Sequence, residues 1–393
     1  MKKMHLSSRL LSLLLIVALL FSFAVPVGAA NSGSNVSFKQ VDNSAVSGSL
    51  QEGIPEEEPD GLDYADAEVV RVSIVLDKES TIEAGFSTMD IGKNQEAMSY
   101  RAGLQREQAN MTASIEKAIG EKLDVAWNLT LAANLISANV PYGKVEEIQA
   151  MPGVKTVVLE TRYEPAVYSQ GPADPNMSTS AEMIGSSAAY AAGLTGAGTR
   201  IAVIDTGTDT DHQSFDAAAF AYALAEDAKN SGRTYDLLDE AEIREKLAQL
   251  NISRNGGPSA QELYVNEKLP FGYNYVDHDL DITHDHDDQG EHGSHVAGIA
   301  TANRYIPSED GYTDALTAVH VQGVAPDAQL LTMKVFGKGG GAYDSDYMAA
   351  IEDAMILGCD SANLSLGSGN PGTSRNSYAA YQLSLIHISE PTR

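Results

Sequence analysis

From Arg200 onward, short apolar and β-branched runs alternate with helical stretches, and this alternation restricts the fold more than any other feature of the chain. Arg200–Ile204 reads as a strand. A long acidic insert over 217–285 follows, then a helix after His292, a strand at Gln329–Lys334, a helix through Tyr347–Leu357 and a strand at Ser361–Leu366. Strands separated by helices do not pair as hairpins, so the pattern predicts a parallel, doubly wound α/β sheet. Reactive side chains of such sheets gather at the carboxyl ends of the strands. That places Asp205, in Asp205-Thr206-Gly207, at a strand's reactive end.

A different pattern precedes it. Val69–Leu76 alternates as a strand, and a long helix with Leu104, Met111, Ile115, Ala118 and Ile119 on one face runs to Gly120. Strands around Val125–Leu131 and Leu135–Val140, a short helix carrying Val145 and Ile148, and a strand at Val154–Glu160 complete residues 67–161. The order β-α-β-β-α-β predicts a ferredoxin-like α+β domain. Residues 31–66, with Glu56-Glu57-Glu58, and 162–180 read as loose linkers. Residues 1–30 have the form of an export signal: Lys2 and Lys3, an apolar run from Leu10 to Val27, then Gly28, Ala29 and Ala30. With a single cysteine, Cys359, an exported chain without disulfides must rely on its core or on bound ions for stability; Cys359 sits in an apolar stretch and reads as a buried thiol. A net charge of -28 with no basic stretch excludes nucleic acid as a partner.

The second chemistry-bearing segment is Glu291-His292-Gly293-Ser294-His295-Val296-Ala297-Gly298. Small residues there permit a closely packed helix with His292 at its entry. Taken singly, Asp205 could be a turn residue, and His292 a surface histidine or half of a metal pair with His295. A metal-dependent hydrolase would draw on His284, Asp285, His286, Asp287 and Asp288 as well, although the H-E-x-x-H helix of zinc enzymes is absent.

Taken together, D-T-G, H-G-S-H-V-A-G, Gly323-Val324-Ala325-Pro326 and Asn363-Leu364-Ser365-Leu366-Gly367 resemble the subtilisin-like serine proteases, in the family's own order. Phe271–Ala302 is most similar to the lactocepin branch of cell-envelope proteases, and 67–161 resembles the family's inhibitory propeptide. The resemblance implies a precursor: signal 1–30, linker 31–66, propeptide domain 67–161, processing linker 162–180 and the first part of a catalytic domain at 181–382. It implies a secreted or cell-envelope location, protein or peptide substrates, and the propeptide as intramolecular inhibitor. It makes His292 the general base and Asp205 its orienting partner. Ser365, Leu366 and Gly367 become one substrate-binding wall, and Gly339, Gly340 and Gly341 the opposite wall. His295 matches a packing histidine. The separation of Asp205 from His292, 87 residues, is long for the family, so the insert 217–285 is a departure that would shape specificity.

The family also needs an oxyanion asparagine and a serine in a G-T-S-M-A-like motif. Gly372-Thr373-Ser374 lies only 7 residues past Gly367 and reads as a turn. The final eleven residues, 383–393, match the translation of a sequencing adapter, so the expected serine lies beyond this stretch and the chain itself is expected to be inactive. No cofactor is assigned. Calcium suits the acidic insert, yet Ser214 stands where the family often places a calcium carboxylate, and no metal ligand is named. A non-catalytic peptide-binding or inhibitor fragment is the alternative of a different class.

Overall fold

The computed structural model describes residues 64–165, 177–254 and 256–367. The export signal at 1–30, most of the linker at 31–66, Ser374 and the tail at 383–393 lie outside the described residues.

The first sheet is antiparallel. Its strands are β1 (Val69–Leu76), β2 (Asp124–Leu129), β3 (Leu135–Pro141) and β4 (Val154–Leu159), in spatial order β2-β3-β1-β4. Helices α1 (Gln95–Ile119) and α2 (Val145–Gln149) complete the expected β-α-β-β-α-β order. The ends of α1 follow from its sequence. The Asn94 side chain accepts the first free N–H groups, from Glu96 and Ala97, and Gly120 closes the helix at φ 77°. Ile115, Ile119 and Ile148 pack on Val72, Ile74, Ile136 and Val140 of the sheet. The supposed linker is anchored at its end: Tyr64 packs against Tyr142, and the Asp66 carbonyl accepts from Gly143 N–H.

The segment 162–180 is not uniformly loose. Arg162–Pro165 is a strand, β5, and helices α3 (Met177–Ile184) and α4 (Ser186–Ala191) follow. These two helices are parted at Gly185, which takes a φ of 80°. The chain continues through β6 (Arg200–Asp205), α5 (Ala217–Ser231), α6 (Glu240–Lys246), α7 (Ala260–Leu263) and β7 (Phe271–Asn274). Next come α8 (His292–Thr301), the hairpin β8 (Tyr305–Ser308) and β9 (Gly311–Asp314), α9 (Ala315–Val319) and β10 (Gln329–Lys334). The last elements are β11 (Ala342–Tyr343), α10 (Asp344–Leu357), β12 (Ser361–Leu364) and β13 (Leu366–Gly367).

β12, β6, β10 and β7 form the parallel sheet, in that order. Part of the presumed insert thus belongs to the scaffold, because β7 is a sheet strand. Alternation along the strands sends side chains to opposite faces. Val203 and Leu330 meet Ala297 of α8, whereas Ala202, Ile204, Leu331 and Met333 meet Ala350 and Ala354 of α10. Helices on both faces make the sheet doubly wound.

α10 also lies against the first sheet, joining Trp127, Leu129 and Leu135 in one core. Thirteen of its 14 residues are buried, including Asp344, Asp346, Glu352 and Asp353. Their partners come largely from residues 64–165. Asp346 accepts from the Trp127 indole at 2.8 Å, and Asp344 accepts from Thr161 N–H at 2.7 Å. Burial pushes Asp344 and Asp346 up to about 6 and Asp353 up to about 7, from an ordinary 3.8.

Two outcomes follow. The folded chain holds protons on these carboxyls that the unfolded chain releases near 3.8, so their contribution to stability grows as pH falls through 7 and 6. Thermal unfolding is therefore expected at higher temperature at pH 5.5 than at pH 8, and Asp353→Asn should remove the part of that rise nearest neutrality; a flat wild-type profile would contradict the assignment. In the first sheet, Ile74→Ala empties a fully buried site and should cost about 2–5 kcal/mol in urea unfolding.

Candidate active site

β6 lies between β12 and β10, so Asp205 emerges at the carboxyl end of an inner strand, level with Lys334. Its Oδ1 accepts from Thr206 N–H at 2.7 Å and lies 2.7 Å from Nδ1 of His292. The two residues, far apart in sequence, thus meet at one rim of the sheet. The Asp205 side chain is 1% exposed and that of His292 is 12% exposed. Burial raises the Asp205 pKa, while the hydrogen bond from His292 and then the Thr206 N–H oppose the rise.

The approach of α8 to this turn depends on glycine. A Cβ on Gly293 would stand 2.2 Å from the Gly207 carbonyl, so no larger residue lets His292 enter beside Asp205. Gly207 itself has φ +107°, and a Cβ there would meet the Ile282 carbonyl at 2.4 Å. Thr206 Oγ1 then ties the turns together, accepting from Gly293 N–H at 2.9 Å and donating to the Gly290 carbonyl at 3.1 Å.

The two expected walls are brought to one place, and a strand fills the space between them. β5 is the middle of an antiparallel three-stranded sheet, β11-β5-β13. Leu366 and Gly367 pair with Pro165 and Glu164, and Ala342 and Tyr343 pair with Tyr163 and Arg162. Ser365 donates to Asn363 Oδ1 at 2.9 Å and joins neither ladder. Arg162 donates to the Gly339 carbonyl. A Cβ on Gly340 or Gly341 would collide with Arg162 or with the Tyr163 carbonyl, the latter at 2.0 Å. The glycine run is thus what admits a backbone to this side.

The His/Asp-rich segment is drawn into separate pairs. His286 Nδ1 lies 3.1 Å from Asp281 Oδ2, His284 Nε2 lies 3.7 Å from Glu291 Oε1, and Asp287 pairs with Lys334. Among the described residues no three His, Cys, Asp or Glu side chains converge as ligands. Ser214 brings no carboxylate; its N–H donates to His212 Nδ1, and its carbonyl accepts from Asn303 N–H. His295, expected to pack inside, is exposed on α8. Lys334 was not singled out by sequence, yet it is fully buried at the rim, donating to the Thr283 carbonyl as well as to Asp287. Its sequence signal is a lysine at the end of the strand Gln329–Lys334.

Known proteins similar to this chain are proteinases. Residues 196–390 match the subtilase family. A PI-type proteinase of Lactococcus lactis subsp. cremoris is 28% identical over 302 residues, spanning 76% of this chain and 14% of the relative. The minor extracellular protease Vpr of Bacillus subtilis (strain 168) is 28% identical over 244 residues, spanning 59% and 22%. A C5a peptidase of Streptococcus pyogenes serotype M3 is 32% identical over 174 residues, spanning 44% and 12%. The crystal structure of the epidermin leader peptide processing serine protease from Staphylococcus aureus aligns at TM-score 0.39 and 15% identity, over 82% of this chain and 58% of that one. The chain thus spans only a fraction of the length of the curated relatives it matches. Residues 196–390 carry a subtilase-family domain, and the chain is similar in sequence to these subtilisin-like proteinases.

Proposed function

We propose that Asp205 and His292 are two members of an Asp-His-Ser triad that hydrolyses peptide bonds, in an exported protein. The 2.7 Å contact between His292 Nδ1 and Asp205 Oδ1 carries this reading. With Nδ1–H donated to the carboxylate, the imidazole presents Nε2 as the base that takes a serine proton and returns it to the leaving amine. Asp205 fixes that tautomer and stabilises the imidazolium, and its burial keeps the interaction in a medium that screens charge weakly. The nucleophilic serine and the oxyanion donor are assigned to no described residue.

In the same reading, 339–341 and 365–367 bind extended substrate backbone by strand addition. Residues 64–165 are then a built-in inhibitor. The support is β5, which holds the place of a substrate strand between β11 and β13. Export is supported by the form of residues 1–30; no described helix is long and apolar enough to cross a membrane.

The catalytic assignment is tested in a polypeptide that continues residues up to 367 with the downstream part of a subtilase domain, supplying the serine and the oxyanion asparagine but no second Asp or His of the triad, by peptide hydrolysis and fluorophosphonate labelling. His292→Ala should lower kcat at least ~10³-fold and Asp205→Asn about 10⁴-fold, with KM little changed. Retained hydrolysis, or loss on chelation with labelling absent, would favour a metal-dependent hydrolase instead. The occupied cleft is tested on the chain itself. Gly341→Val sets side-chain atoms where the Tyr163 carbonyl now sits, so β5 should be displaced and trypsin should cut after Arg162 about tenfold faster. An unchanged rate, followed by mass spectrometry, would argue against β5 as the cleft's occupant.

A further inference from the structure

Arg101 projects from α1, within the unit read above as the inhibitor, yet most of its partners lie outside that unit. Its side chain is 2% exposed, and burial lowers its pKa. A guanidinium held so far from water needs acceptors for its fork of N–H groups. Nε finds one within its own unit, Thr130 Oγ1 at 2.9 Å. The remaining contacts cross over: Nη1 donates to the Gln249 carbonyl, Nη2 donates to Asn251 Oδ1 at 3.2 Å, and Nη2 lies 3.9 Å from Glu352 Oε2.

The receiving side is itself fixed. Asn251 N–H donates to Asp353 Oδ1 at 2.6 Å, and Asn251 Nδ2 donates to Glu352 Oε2 at 3.1 Å. Glu352 Oε1 in turn accepts from the backbone N–H groups of Thr130, Leu131 and Ala132 at 3.1, 2.7 and 2.9 Å. Close packing accompanies these bonds, because a Cβ on Gly92 would lie 3.2 Å from the Ile356 carbonyl and 3.4 Å from Gln249 Oε1. Glu352 lies eight residues beyond Asp344, about 12 Å further along α10 at the usual helical rise. The cleft strand and this contact are therefore separate footholds.

We propose that the insert segment around Gln249 and Asn251 forms, with Glu352, a guanidinium socket for Arg101, and that it is a second docking surface for residues 64–165. The inference rests on the reading of that unit as an intramolecular inhibitor. It gives the insert a role other than substrate choice: holding the unit in place after the chain beyond β5 has been cut.

The test places a site-specific protease sequence within 166–176 of the full chain, cuts there, and follows separation of the two pieces by size exclusion and by dissociation from a surface. Arg101→Met keeps most of the apolar bulk and removes the donors. It should speed dissociation tenfold or more, as expected for loss of charged hydrogen bonds. Asn251→Ala should act in the same direction. The double variant should be no faster than the faster single, because both act on one contact. Lys78→Ala, which breaks an exposed pair with Glu107, should leave the rate unchanged. Amide exchange at Ile74 and Ile136 reports whether the unit stays folded; if Arg101→Met loses that protection, the dissociation rate of Asn251→Ala decides between the outcomes. Pieces that stay together at the wild-type rate in the variants, or single effects that multiply, overturn the socket alone. Wild-type pieces that part on cutting overturn the inhibitor reading and the socket with it.

Discussion

Helix α10 must satisfy two sheets at once, and most of the architecture follows from that. One side lies on the parallel sheet, where Ala350 and Ala354 cover Ala202, Ile204, Leu331 and Met333. Another lies against the antiparallel sheet of residues 64–165. A helix enclosed in this way leaves no solvent for its acidic side chains, so each must find donors in the protein. Glu352 finds them in the turn between β2 and β3, where three consecutive N–H groups leave the ladder and need an acceptor. Asp346 finds the Trp127 indole and Asp353 the backbone of Asn251. Each bond answers a requirement on both of its sides.

The scaffold of the candidate site was legible in the sequence because its signals are local. Asp205 follows directly on an apolar strand, and His292 stands at the start of a helix made of small residues. The β-α-β-β-α-β unit was legible for the same reason, including the glycine that ends α1. β5 was not. It is four residues long and ends in proline, and its partners at Ala342 and Leu366 lie roughly 180 and 200 residues away. No periodicity can report a pairing of that kind. The acidic residues of α10 carry no sequence signal of their burial. Asp344 and Asp346 look like ordinary first-turn charges that complement the helix dipole, and Glu352-Asp353 look like a solvated face. Only the partners at Trp127, Thr161, Thr130 and Asn251 reveal that this face is buried.

The chemistry of that face suits a surface that is buried in one state and wet in another. If residues 64–165 leave, as the proposed function requires, Glu352 loses three backbone donors and Asp346 loses an indole. Carboxylates can replace these partners with water at little cost, whereas an apolar face of the same extent would be left as an adhesive patch. Burial raises the pKa of the Asp344 and Asp346 carboxyls, the direction expected of charge enclosed away from water in the joined state. Carboxylates on the part that stays and N–H groups on the part that departs also make the contact directional: a partner needs donors at the right spacing, not merely an apolar surface. Arg101 extends the same logic, a cation brought to a socket that already holds the opposite charge.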